Sequence, residues 1–232
     1  VAARTAPPPP ALQPPTALHS PAARPCPTPR RRQLPPRHQP PGGYPLHTGI
    51  RTTVFWAGEL ASPDNGYTPN VASAWQNDWQ SHFGGFDDPD NRCGYNPCAF
   101  TPLENAFYFA LPFSDYGNNG PKKDLGMVYW SNGKLADGQS ILKNRWIQIT
   151  ANGRTVYAQW EDVGPFNEND SAYVFGSAAP KYSQAGLDVS PAVSTYLGMG
   201  GSAVSSWKFV DASDVPSGPW KTTITTSGPG WN

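Results

Sequence analysis

Two aspartates stand where the chain changes direction, and carboxyl groups so placed could do acid chemistry. Asp162 lies in Tyr157-Ala158-Gln159-Trp160-Glu161-Asp162-Val163-Gly164-Pro165-Phe166, a strand pattern running into a Gly-Pro turn. Asp188 lies in Gly186-Leu187-Asp188-Val189-Ser190-Pro191, just ahead of a helix start. A carboxyl group that keeps its proton can act as a general acid toward a departing group. Each position also has a structural reading. A helix N-terminus beside Asp188 favours the ionised carboxylate, and Asp162 before Gly-Pro suits a turn-former that accepts backbone amides. The residues alone leave both readings open.

Other chemistry-bearing residues are few. Cys93 and Cys98 bracket Gly94-Tyr95-Asn96-Pro97, and Cys26 stands alone. A local disulfide and two free thiols are both open, while a C-x4-C pair with no nearby His pair is poor spacing for zinc. His82 falls on an expected outer helix and reads as a surface or packing residue rather than a proton shuttle. Asp87-Asp88-Pro89-Asp90-Asn91 lacks the glycine turn and distal glutamate of a calcium loop and reads as a solvated turn. No metal and no cofactor is expected.

The elements that must position the two aspartates occupy only part of the chain. The first fifty residues hold fifteen of the 28 prolines and one aromatic residue, Tyr44, and up to Arg51 there are seven arginines and no acidic residue. Residues 1–50 therefore read as a disordered Pro/Arg-rich arm or linker. The same composition also matches out-of-frame translation of GC-rich DNA, so whether the arm is a genuine segment stays open. The part from residue 51 to 232 is mildly acidic, which argues against a nucleic-acid-binding face. No apolar run approaches the roughly 20 residues of a membrane-crossing helix.

From Arg51 onward, short β-rich runs alternate with Gly, Pro, Asn and Asp, the texture of an all-β domain with small helices. Thr52 to Trp56 predicts a first strand and Ala106 to Leu111 an apolar strand buried on both faces. Arg145 to Thr150 and Arg154 to Trp160 flank Asn152-Gly153, which predicts a hairpin with a type I′ turn. Ser190 to Gly198 predicts a two-turn helix with a Ser cap, Pro in the first position and Gly beyond the end. Ser206 to Val210 predicts a closing strand. Ala72 to His82, with Trp75 and Trp79 four apart, predicts an outer helix.

Asp162-Val163-Gly164-Pro165-Phe166, then Leu187-Asp188-Val189-Ser190-Pro191-Ala192, a helix ending in Leu197-Gly198, and Trp207-Lys208-Phe209-Val210 follow one another in order. This succession resembles the double-psi β-barrels of the rare-lipoprotein-A, expansin and family-forty-five glycoside hydrolase kind, well over Val156 to Val210 and loosely elsewhere. The resemblance implies a six-stranded double-psi β-barrel; the long loops 61–102 and 112–140 have no counterpart in its compact members and read as insertions of a divergent branch. It implies a secreted or cell-envelope protein, monomeric, acting on peptidoglycan, cellulose or chitin by lytic transglycosylation or hydrolysis, or an expansin-like module that loosens glycan without cleaving it.

On that resemblance, Asp188 matches the general acid of the hydrolases and an essential Asp of expansins, and Asp162 matches the carboxylate proposed in the transglycosylases. The two are expected side by side on an open groove. The hydrolases take a base from the first strand, where this chain has Trp56-Ala57-Gly58-Glu59 with Glu59 at a different offset, and no His occurs around Glu104 to Phe109. Trp56 and Trp160, with Tyr129 and Trp130 in reserve, are the expected sugar-stacking rings.

Overall fold

The computed structural model describes Pro40 and residues 42–230. The arm up to residue 39, with Cys26, lies outside the described residues.

Six strands close into a barrel: β1 (His47–Val54), β2 (Tyr108–Leu111), β3 (Trp146–Ala151), β4 (Arg154–Val163), β5 (Leu187–Val189) and β6 (Ser202–Val210), in the order β1-β6-β3-β4-β2-β5 and back to β1. β2 runs parallel to β4 and β1 parallel to β5, and the other four pairs are antiparallel. Three short helices, α1 (Trp79–Phe83), α2 (Ser171–Val174) and α3 (Pro191–Leu197), lie in the connections. Among the described residues no helix is long and apolar enough to cross a membrane.

The strongest local signals give the elements they predict. Asn152 and Gly153 both take positive φ, 51° and 72°, so the β3–β4 hairpin turns as its Asn-Gly pair requires. Ser190 caps α3 by accepting from Val193 N at 3.2 Å, Pro191 occupies the first turn, and Gly198 ends the helix at φ 66°. β6 starts four residues before the predicted closing strand, and its inward row of Ser205, Trp207 and Phe209 is buried.

Two expectations fail for identifiable reasons. The barrel begins at His47, inside the stretch that composition assigned to the arm. His47 is only 7% exposed and stacks on Trp207 at 4.0 Å, and Tyr44 packs against Tyr129 and Phe209. The predicted helix from Ala72 to His82 shrinks to α1. Its first half is bends, one isolated bridge and a turn, with the Ala74 and Asn77 amides bonded elsewhere, to Asp162 Oδ1 and Gly230 O. Trp75 and Trp79 are both fully buried all the same.

The interior is aromatic. Trp160 stacks between Phe109 at 5.7 Å and Phe209 at 5.9 Å, and Trp207 donates its indole hydrogen to Tyr173 at 2.8 Å. Outside, Cys93 and Cys98 form a disulfide across the small ribbon of Arg92–Cys93 with Asn96–Pro97. This decides between the two states left open for that pair.

Ser190 Oγ accepts from two amides, Val193 N in α3 and Tyr108 N in β2, and is fully buried. Ser190→Ala therefore leaves donors unpaired in two elements, and urea denaturation should show a loss of about 1–3 kcal/mol, above that of an exposed cap.

Candidate active site: carboxylates on the outer face of the barrel

Ala110 of β2 lies opposite Asp162 of β4 on one side and opposite Asp188 of β5 on the other. Residues directly opposite across strands point to the same face, so the two aspartates share a row with a single methyl group between them. Two strand spacings put their Cα atoms about 10 Å apart. Thr53 of β1 extends the row, opposite Asp188 and donating its hydroxyl to Asp188 Oδ1.

A bulge makes this possible. Trp160 is opposite Phe109 and Asp162 opposite Ala110, so Glu161 is an extra residue in β4. In an unbulged strand Asp162 would face inward with Trp160, two residues before it. Trp160 then holds the turned-out residue, its indole donating to Asp162 O at 2.7 Å.

Asp162 is 8% exposed and accepts at Oδ1 from Ala74 N at 2.8 Å and Val163 N at 2.7 Å. Burial pushes its carboxyl up to about 7, the two amides oppose the rise, and the charge of Asp188 adds to it. Asp188 is half-buried. Burial raises it to about 6, against the Thr53 hydroxyl and with the help of Glu59. Loss of water therefore acts on Asp188 in the direction opposite to that of the helix start that follows it. The amide-acceptor reading of Asp162 describes real contacts, yet its carboxyl still holds a proton far above the usual range.

Glu59 is a third carboxyl within electrostatic reach of Asp188 despite its offset in sequence. It is 7% exposed, accepts from Asn70 Nδ2 at 2.7 Å, and is also raised by burial. The turn that carries it, from Trp56 O to Glu59 N at 3.0 Å, is anchored by a buried relay. Ala57 N donates to the Tyr108 hydroxyl, which donates to Asp87 Oδ2 at 2.8 Å, and Arg92 pairs with Asp87. Asp87 is fully buried, so the solvated-turn reading of the acidic cluster fails for it. Among the described residues no group of His, Cys, Asp or Glu could hold a metal ion. His82 sits at the surface, 3.1 Å from Asp78 Oδ1.

A buried polar network backs the row. Lys143 Nζ pairs with Glu161 Oε2 at 2.5 Å and reaches Ser227 Oγ at 3.3 Å, Ser227 donates to Glu104 Oε1 at 2.6 Å, and Gln76 Nε2 bonds both at 3.2 Å. Gly230 N reaches Trp75 O at 2.7 Å. The C-terminal segment thereby fixes the stretch 74–76 whose first amide holds Asp162.

The chain matches no protein-family model and no curated protein. The site therefore stands on its own geometry.

Of the expected stacking rings, only Trp56 stays in place. It is half-buried in the Glu59 turn, and its Nε1 is buried without a hydrogen-bond partner. Trp160 is fully buried and offers no face. Tyr129 and Trp130 are committed to packing: Tyr129 donates to Phe175 O, and Trp130 donates to Ile141 O at 2.6 Å with Arg145 at 4.5 Å over its ring. A cavity of about 80 Å³ lies apart from the aspartates, lined by Tyr95, Asn96, Glu104, Phe107 and Thr222 among others.

A carboxyl raised in the folded state adds stability below its unfolded value, and that stability is lost as pH rises through the folded value. For Asp162 the window runs from about 4 to about 7. Buried His47, lowered to about 4, has the opposite trend, so the measurement must be a difference between proteins. Asp162→Asn should match the wild-type melting temperature near pH 4 and exceed it at pH 8, by about 2–4 °C for each kcal/mol recovered. A gap independent of pH would contradict this account of Asp162.

Proposed function

We propose that this is a secreted, double-psi-type barrel whose loops 61–102 and 112–140 are insertions, and that it cleaves cell-wall glycan with Asp188 as the proton donor. The carrying observation is that Asp188, half-buried and raised to about 6, shares a row with Asp162 and lies within electrostatic reach of Glu59. A carboxyl in this state is still partly protonated near neutral pH, as a general acid must be. Asp162, deeper and raised to about 7, is the neighbour whose charge state tunes the pair. Glu59 supplies the second carboxyl for a water-activating or charge-stabilising role across the row.

The two parallel and four antiparallel pairings of the closed barrel, together with the motif order from Asp162 to Val210, support the double-psi reading. The Cys93–Cys98 disulfide is in keeping with an oxidising compartment outside the cytosol.

A second reading has its own observation. Asp162 and Glu59 are 8% and 7% exposed, and Asp188 is only half-buried, so the row offers little carboxyl surface to solvent. That coverage favours a module that binds and loosens polysaccharide without cleaving it. The full chain incubated with insoluble cellulose, chitin and peptidoglycan, scored for retention and for released reducing ends or anhydro-sugars, separates the readings. Cleavage that falls at least about a hundredfold in Asp188→Asn, with retention kept, supports the enzyme. Retention without product supports the binding module, and no retention on any glycan ends both.

A further inference from the structure

Among the described residues, four non-glycine residues take left-handed backbone: Tyr67 (φ 62°), Asn144 (69°), Asn152 (51°) and Phe166 (62°). Asparagine tolerates this region through its short polar side chain, whereas a bulky aromatic residue there is strained. Strain of this kind is usually repaid by burying the side chain. Here the rings go the other way, with Tyr67 70% exposed and Phe166 63% exposed. Neither backbone ease nor packing accounts for an aromatic residue at these two positions.

Their places in the fold supply a reason. Tyr67 sits in the loop that leads from Glu59 to Asn70, whose side chain bonds Glu59, and its amide is pinned to Ser62 O at 2.8 Å. Phe166 sits four residues after Asp162, in a turn fastened by Gly164 N to Leu111 O at 3.1 Å and Asn167 N to Pro165 O at 2.8 Å. Its ring lies 6.0 Å from that of Tyr182, itself 45% exposed. Each strained, outward ring therefore belongs to the loop or turn that carries one of the carboxyls flanking Asp188. Trp56 lies in the Glu59 turn, with its indole nitrogen buried.

A ligand with flat apolar faces and hydroxyl-bearing edges fits this layout. The C–H faces of pyranose rings stack on the aromatic rings. A β-1,4-linked chain presents such faces repeatedly along a ribbon. We propose that Tyr67 and Phe166, the latter with Tyr182, are stacking subsites on the two sides of Asp188, each taking one sugar ring of a β-1,4-linked glycan. This rests on the glycan reading above and assigns the residues that hold the chain in register.

Glycine separates a binding role from a packing role, because it removes the ring and suits the left-handed backbone. Phe166→Gly and Tyr67→Gly should each melt at or above the wild-type temperature while retention on the glycan that the wild type prefers falls up to about tenfold. Phe166→Trp should keep retention. Val204→Ser, at a 68% exposed position on β6, should change nothing and controls for general loss of surface apolarity. Glycine variants that bind like the wild type overturn the subsites while leaving the glycan reading intact, and so does a clear drop in melting temperature. A wild-type chain that binds none of cellulose, chitin or peptidoglycan overturns the glycan reading and the subsites with it.

Discussion

The extra residue in β4 is the constraint on which the rest of the site depends. Strand geometry alternates faces, so Trp160 and Asp162 would share one face of a regular strand. Inserting Glu161 lets Trp160 stay in the aromatic interior beside Phe109 while Asp162 moves to the outer row opposite Ala110. Core packing and site chemistry are thus served from adjacent positions of one strand. Because β2 pairs with β4 on one edge and β5 on the other, Ala110 brings Asp188 into the same row. A larger side chain than alanine at that point would fill the space between the carboxyls.

Burial then sets the chemistry of that row. Asp162 and Asp188 each receive hydrogen bonds that favour the charged form, and both still rise well above the ordinary carboxylate range. Desolvation wins because the segment around Ala74 covers Asp162 and is itself held from behind. Trp75 Nε1 bonds Asp115 at 3.0 Å, Gln76 bonds Glu104 and Ser227, and Gly230 pairs with Trp75 and Asn77. The Lys143–Glu161 pair joins the same network through Ser227, and Glu161, also fully covered, is pushed up to about 7. The last described residues are therefore part of the support of the site although they lie outside the barrel strands.

The loops do more than connect. The stretch from Trp56 to Asn70 brings Glu59 near Asp188 and turns Tyr67 outward, and the turn after Asp162 does the same for Phe166. Its root is tied to the barrel by Tyr108, Asp87 and Arg92, next to the disulfide ribbon. A rigid barrel with pinned loops can hold strained, exposed rings that a freer loop would relax.

Local signals in the sequence determined the elements whose cause is local. The Asn152-Gly153 hairpin, the capped helix from Pro191 to Leu197 and the alternation of β6 rest on backbone preferences of a few neighbouring residues, so they were legible from those residues. Asp162 and Asp188 were legible as candidates through the order of motifs around them. Tertiary structure alone decided what depends on distant partners. The bulge at Glu161, the meeting of both aspartates at Ala110, the approach of Glu59, and the loss of helix from Ala72 to Asp78 all arise from pairings between residues far apart in the chain. The same holds for Trp160, Tyr129 and Trp130, since whether an aromatic ring faces water or core depends on what packs over it, and composition carries no record of that.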